Sequence, residues 1–271
     1  MCGDALRVRA RPVSRGALLG EAMHGRWKSG SIADLGRVVT GRTPPGNDAS
    51  YYGSAVPFLT PSDMDGRRRV ERTARSLSSA GASWLARCLV PRGVGVSCIV
   101  WQMGKAILID QPTVTNQQIN SIIVDERRAN CSFVYYVLLA RRAELFNLGA
   151  GGSRTPILNK GDFERLPFPL PPLPEQRAIA HILGTLDDKI ELNRQMNKTL
   201  EDMAQAIFKS WFIDFDGHTD LVESELGPIP RGWEAGHLSD LLTLQRGFDL
   251  PASGRTPGPY PVYAAGGHHG L

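Results

Sequence analysis

Apolar residues change their rhythm along this chain, and the change of rhythm divides it. "SIADLGRVVTG" (Ser31–Gly41) and "SCIVWQMGKAILID" (Ser97–Asp110) hold short apolar bursts with strand character, and the second turns near Met103–Gly104 as a hairpin would. "INSIIV" (Ile119–Val124) is another strand by the same pattern. From Asn130 the spacing becomes helical, with Val134, Val137, Leu138, Leu145 and Leu148 in step, Asn130 placed as an N-cap and Gly149 as a stop. Strands and helix together predict a mixed α+β domain. "LPFPLPPLP" (Leu166–Pro174) follows. Its prolines each fix φ and remove a donor, which predicts a stiff, extended connector.

Beyond Pro174 a long run carries no breaker except Gly184. Ile179, Leu183, Leu186, Ile190, Asn193, Asn197, Leu200, Ala204, Ile207 and Trp211 recur at alternating four- and three-residue steps, the seam of a heptad helix. Asn193 and Asn197 are its polar positions, and Asn in a buried seam fixes register and partner at some cost in stability. From Glu175 to Ile213 such a helix runs roughly 58 Å at about 1.5 Å per residue. Few apolar elements remain to cover that length, so the seam calls for a partner helix.

An acidic stretch bearing proline and glycine, "FDGHTDLVESELGPIPRGW" (Phe215–Trp233), has the composition of a linker. Beyond it the chain repeats itself. Trp27, Gly30, Asp34, Leu35 and Gly41 match Trp233, Gly236, Asp240, Leu241 and Gly247 at a constant offset of 206, with Ile32 and Leu238 in step. That offset is too long for a solenoid. It marks the duplication of a whole domain with its helix, and residues 233–271 hold the opening of the second copy.

Composition narrows the setting. The 271 residues suit one large or two modest domains. No apolar run reaches the roughly 18 residues that span a bilayer. Residues 1–24 carry four arginines and no apolar core segment, which predicts a disordered basic tail rather than a secretory signal. Cys2, Cys88, Cys98 and Cys131 form no CxxC pair, and scattered thiols without a secretion signal suit a reducing cytoplasm. His268 and His269 are adjacent in a glycine-rich stretch and predict a loop; no metal is expected. Charge is unevenly spread. Residues 25–165 hold 19 Lys+Arg against 11 Asp+Glu, whereas residues 166–271 hold 8 against 14. The basic excess of the first domain suits a polyanion such as nucleic acid.

Catalytic motifs are missing. There is no Asn-Pro dipeptide of an adenine methyltransferase loop and no Glu-x-Lys of a metal-dependent nuclease. Gly93/Gly95 and Gly149/Gly151 are lone pairs outside a strand–GxGxxG–helix context. These absences favour a binding module over an enzyme; a methyltransferase fused to a reader is the competing class and a structural coiled-coil adaptor a third. Candidate contact residues are concentrated in loops. "TVTNQQINS" (Thr113–Ser121) presents Asn116, Gln117, Gln118 and Asn120, and Asn and Gln pair bidentately with adenine. "GRTPPG" offers Arg42 and Thr43, "TPSDMDGRRR" offers Ser62 with Arg67, Arg68 and Arg69, and "GGSRTP" offers Ser153 and Arg154. The three successive arginines suit phosphate contacts more than base contacts.

The pieces "VVTGRTPPGN", "YYGSAVPFLTPSDM", "TVTNQQINSIIV", "GAGGSRTPILNKGDFERLPFPLPPLPEQRAIAHIL" and "LGPIPRGW", in this order and followed by the heptad helix, resemble the specificity (S) subunit of type I restriction–modification systems. The resemblance implies a target-recognition domain at 25–165, a proline-rich connector at 166–173, a conserved spacer helix at 174–215, a linker at 216–232 and an incomplete second recognition domain at 233–271. It implies recognition of one half of a bipartite site in double-stranded DNA, without catalysis in this chain. The partners it implies are modification subunits that use S-adenosylmethionine and a restriction subunit that uses ATP and Mg, with no membrane. The cut-off second domain implies either a truncated product or a half-subunit that pairs as a homodimer through the spacer helix.

Overall fold

The computed structural model describes residues 27–45, 48–70, 72–149 and 157–247, together with 251, 254, 263–264 and 267–268. The chain forms two compact units, one ending at Gln195 and one beginning at Met196. The expected tail at 1–24 lies outside the described residues.

The first unit contains β1 (Lys28–Ser31), β2 (Gly36–Thr40), β3 (Tyr52–Leu59), β4 (Arg75–Leu77), α1 (Ser79–Trp84), β5 (Leu89–Val90), β6 (Gly93–Ser97), β7 (Ala106–Ile109), β8 (Thr113–Thr115) and β9 (Ile119–Val124). They are followed by α2 (Cys131–Ala140), α3 (Arg142–Gly149), α4 (Lys160–Glu164), β10 (Pro167–Leu170) and the start of α5 (Leu173–Phe212). One four-stranded sheet has the order β2–β9–β6–β7 and is antiparallel throughout. The other has the order β4–β3–β8–β5, with β3 and β8 parallel.

Side-chain alternation explains the layering. In β7 the run Ala-Ile-Leu-Ile is buried on both faces. Ala106 and Leu108 enter a core shared with Phe133, Leu138 and Phe163 of the helices, while Ile107 and Ile109 enter a core shared with Leu59 and Val90 of the other sheet. A third cluster, Phe58, Leu77, Leu85 and Val114, fills the far face of the second sheet. A continuous apolar run is what a strand packed on both sides requires.

Several expected elements are redrawn by local chemistry. Ser31–Gly41 is not one strand. Asp34 Oδ2 accepts from Ser31 N at 2.7 Å and Ser31 Oγ at 2.8 Å, and this capping box winds Ile32–Leu35 into a 3-10 turn before β2 begins. The 97–110 hairpin turns where expected, at Gly104 with φ +76°, but its first arm leaves the ladder after Ser97. The helix from Asn130 is two helices. Asn130 caps the first, accepting from Phe133 N at 3.1 Å, and Arg141, at φ −91° and ψ 13°, ends it before Gly149. The proline-rich connector is extended, yet it belongs to the domain: β10 pairs antiparallel with β1, and Leu166 and Phe168 are buried. Prolines are tolerated there because a two-stranded ribbon has free edges.

Helix α5 has 40 residues, about 60 Å at 1.5 Å per residue. It ends at Phe212 rather than 215, and Phe215, at φ 59°, turns the chain away. In the second unit the expected linker contains a hairpin, β11 (Leu221–Ser224) with β12 (Gly227–Pro230), turning at Gly227 with φ +93°. Trp233 stands 6.2 Å from Phe212 and 5.4 Å from Phe215 between ring centroids. The internal repeat is visible in three dimensions. His237 N donates to Asp240 Oδ2 at 2.9 Å and starts α6 (Leu238–Leu241), the same box that Ser31 and Asp34 form 206 residues earlier. Ile32 and Leu35 are buried, whereas Leu238 and Leu241 are exposed.

Candidate nucleic-acid interface

Three loops of the first unit converge at one end of its two sheets. The loop after β2 is held by Gly41 N donating to Ile119 O (3.2 Å) and Arg42 N to Thr115 O (2.9 Å). A Cβ on Gly41 would stand 2.1 Å from Thr115 O, so this approach requires glycine. The turn between β8 and β9 is tied to the end of β3 by Asn116 N donating to Leu59 O at 3.0 Å. Cys98 N donates to Gln118 O at 2.8 Å, which brings the segment after β6 to the same place.

Six of the sequence-derived contact residues meet here. Thr43 Oγ1 bonds Gln117 Oε1 at 2.6 Å, and the Arg42 guanidinium lies 4.9 Å from the Trp84 ring centroid. A cavity of about 290 Å³ is lined by Ser62, Asn116 and Gln118, and also by Thr60, Arg75 and Gln102. Asn116 is buried; its Oδ1 accepts from Gln118 N at 3.1 Å and its Nδ2 donates to Gln118 Oε1 at 3.2 Å. Asn120 is scaffold: Thr40 Oγ1 donates to its Oδ1 at 2.6 Å and its Nδ2 donates to Leu158 O at 3.3 Å, beneath the surface. Ser153 and Arg154 lie outside the described residues.

The three successive arginines sit elsewhere. Their backbone runs beside β7, with Leu108 N donating to Arg68 O at 2.9 Å. Arg68, with a side chain 13% exposed, donates to Tyr136 Oη at 3.2 Å and Gly184 O at 3.1 Å and pairs with Asp188. Tyr136 Oη in turn donates to Asp187 Oδ2 at 2.8 Å. Gly184 matters because a Cβ there would stand 3.1 Å from the Arg68 guanidinium. Arg68 is therefore a clasp between the domain and the root of α5, a guanidinium with three protein partners rather than one left open at the surface. Arg69 pairs with Asp110, and Arg67 lies 3.3 Å from Asp65 and 3.9 Å from Glu191.

The root has a second lock that the sequence reading missed. Gln176 is 1% exposed; its Oε1 accepts from Asn130 N and its Nε2 donates to Pro171 O, each at 2.8 Å. Trp27 Nε1 donates to Glu175 Oε1 at 3.2 Å. Arg75 and Gln102 were also missed, since single Arg and Gln residues carry no pattern. The seam divides by depth. Ile179 and Leu183 are partly covered, while Leu186 (57% exposed), Ile190, Asn193, Asn197, Leu200 (59%), Ala204, Ile207 and Trp211 lie open. Ile182, Met196, Met203 and Phe208 widen the exposed apolar surface of the helix.

Burial pushes Cys98 up to about 11 and Cys131 up to about 12, so both are neutral at physiological pH. Among the described residues no group of three or more His, Cys, Asp or Glu could hold a metal ion, and no helix is long and apolar enough to cross a membrane.

Known proteins resemble this chain in sequence and in fold. Residues 25–202 match the profile of the family described as "Type I restriction modification DNA specificity domain". Over 235 residues the chain is 28% identical to the type I restriction enzyme MjaIX specificity subunit of Methanocaldococcus jannaschii, covering 83% of this chain and 54% of that protein. Over 176 residues it is 31% identical to the type I restriction enzyme HindI specificity subunit of Haemophilus influenzae, covering 62% and 38%. The chain thus spans about half the length, or less, of these curated relatives. The crystal structure of a type I restriction–modification S subunit from M. genitalium superposes with a TM-score of 0.52 at 16% identity, covering 91% of this chain and 62% of that one. That likeness is one of fold, a mixed α+β domain followed by a long helix.

Proposed function

This chain belongs to the type I restriction–modification DNA specificity family, and from that premise we propose that residues 25–165 read one half of a bipartite site in double-stranded DNA while α5 spaces that reader and docks modification subunits. The observation that carries the proposal is the gathering of Arg42, Thr43, Ser62, Asn116, Gln117 and Gln118 at one loop end, on a domain with a basic excess. In this proposal the chain holds no cofactor. Methyl transfer to a flipped adenine is the work of modification subunits with S-adenosylmethionine, and translocation and cleavage that of a restriction subunit with ATP and Mg. The setting is the cytoplasm.

The test is binding of cognate and random duplex by the chain co-expressed with its system's modification subunits, followed across salt. Affinity that falls linearly in log–log form, with a sequence-specific excess at every salt, is the expected result. Salt-insensitive association would leave only an adaptor, and methyl transfer by the chain alone would make it an enzyme.

The bare seam of α5 favours a second state, in which two copies pair through Leu186, Ile190, Leu200, Ile207 and Trp211. Sedimentation across micromolar concentrations distinguishes a self-associating chain from a monomer that waits for modification subunits.

A further inference from the structure

The amides around the loop-end cavity are not free to face either way. Asn116 Oδ1 accepts from Gln118 N, and a backbone N–H can only donate, so the Asn116 oxygen must face it. Asn116 Nδ2 then points at Gln118 and can only donate, so Gln118 turns its Oε1 inward at 3.2 Å. Gln102 Oε1 faces the Lys105 ammonium at 2.9 Å, again a group that only donates. Asp63, also on the cavity lining, has both oxygens engaged: Oδ1 accepts from Ala74 N, and Oδ2 from Thr60 N and Thr60 Oγ1. On the cavity lining, the amide N–H groups left without a partner among the described residues are the Nε2 amines of Gln102 and Gln118. The Arg75 guanidinium has only the Tyr52 and Phe58 rings, 5.2 and 5.5 Å from its centre. The amides and the guanidinium on the lining therefore present donors, beside one hydroxyl oxygen, Ser62 Oγ, whose proton goes to Thr60 Oγ1.

Donors recognise acceptors. Adenine is read by an amide that offers an oxygen to N6 and an N–H to N7, and here the oxygens are turned away. Cytosine presents a donor in the major groove, which this set would oppose. Guanine presents two acceptors, O6 and N7, and suits paired donors. A phosphate is disfavoured by the Asp63 carboxylate on the same lining. Resting on the DNA-reading assignment above, we propose that Gln102, Gln118 and Arg75 form a specificity pocket for the major-groove edge of a guanine in the target half-site.

The test selects duplexes from a randomised library with the full chain and its modification subunits. The enriched half-site is expected to contain a required guanine, and 7-deazaguanine at that position, which lacks the N7 acceptor, is expected to weaken binding by about 5- to 100-fold. Gln102→Glu keeps an oxygen for Lys105 and replaces the outward amine with an acceptor, so its preference is expected to move from guanine toward cytosine. Melting in step with the parent chain shows that the variant is folded, and Gln102→Ala gives the same guanine loss without the added charge. Sequence-specific enrichment with no guanine requirement, or no response to 7-deazaguanine, overturns the pocket and leaves the DNA-reading assignment standing. No enrichment at all overturns both.

Discussion

Arg68 and Arg75 are seven positions apart, and their guanidinium groups have opposite surroundings. Arg68 is enclosed by Tyr136, Gly184 and Asp188 at the root of α5. Arg75 lies over two aromatic rings beside the loop-end cavity, with no hydrogen-bonded partner for its guanidinium among the described residues. The same contrast separates two glutamines. Gln176 at the root has both ends of its amide bonded, whereas Gln118 at the loop end has one. A buried polar group that is fully paired holds structure together, because removing it strands its partners. An unpaired donor at a surface cavity has hydrogen-bonding capacity to offer a ligand. The domain thus divides into a joint that fixes the helix and an end that is left unfinished.

The largest effect expected from this contrast is at Gln176. Its replacement by Ala strands Asn130 N–H and Pro171 C=O, at about 2–4 kcal/mol for two part-buried backbone groups. At roughly 2–4 °C per kcal/mol for a chain of this size, the melting temperature of the first unit is expected to fall by about 4–16 °C. An unchanged melting curve would mean that the root is not locked.

Next in size is the loss of association. Leu186→Asp with Leu200→Asp places charges on an apolar surface that is already exposed, so the first unit is expected to keep its stability within about 0.5 kcal/mol. Association through α5, with a second copy or with modification subunits, is expected to disappear in sedimentation at micromolar concentration. Persistent association of the double variant would move the contact off the seam.

The two arginines sharpen the comparison directly. Arg68→Ala removes charge-assisted bonds from a mostly enclosed side chain and is expected to cost about 1–3 kcal/mol of stability, with the salt dependence of DNA binding unchanged. Arg75→Ala is expected to do the reverse, with near-parental melting and weaker cognate binding. If both variants changed the salt slope by about one unit, the clasp would be a phosphate contact after all and the division would collapse.

The elements most legible in the sequence were those specified by spacing. The heptad steps from Ile179 to Trp211 forecast a helix, and the match of Trp27–Gly41 with Trp233–Gly247 marked a repeat, although the capping box its two copies share was read as part of a strand. A capping box is local, so it forms whether its leucines are buried, as at Leu35, or exposed, as at Leu241. What spacing could not show was which polar groups find each other across long separations. Arg68 meets Asp188 at a distance of 120 positions and Asn130 meets Gln176 at 46, and neither pair leaves a pattern along the chain. The gathering of Arg42, Ser62 and Asn116 was foreseen only as a list of loops; the strand order that brings the loops together depends on a parallel pairing of β3 with β8. The adenine reading of Asn116 rested on residue type alone, and residue type does not show that both ends of its amide are bonded to Gln118.

The smallest expected effect separates two neighbours inside the reading end. Asn116 is buried and shapes its turn, while Gln117 is exposed and its side chain, among the described residues, is bonded to Thr43. Asn116→Ala removes the acceptor for Gln118 N and lets the Gln118 amide rotate, so it is expected to lower stability by about 1 kcal/mol and blur base preference. Gln117→Ala leaves the turn intact. Its loss is expected to change cognate affinity by about 1 kcal/mol or less and random duplex by nothing measurable, because a side chain that touches a base edge matters only where that base is present. Equal weakening on cognate and random DNA for Gln117→Ala would assign it to the phosphate backbone. Equal destabilisation of the fold by both variants would show that the whole 116–118 turn is scaffold, and base reading would then fall to Arg42, Thr43, Arg75 and Gln102.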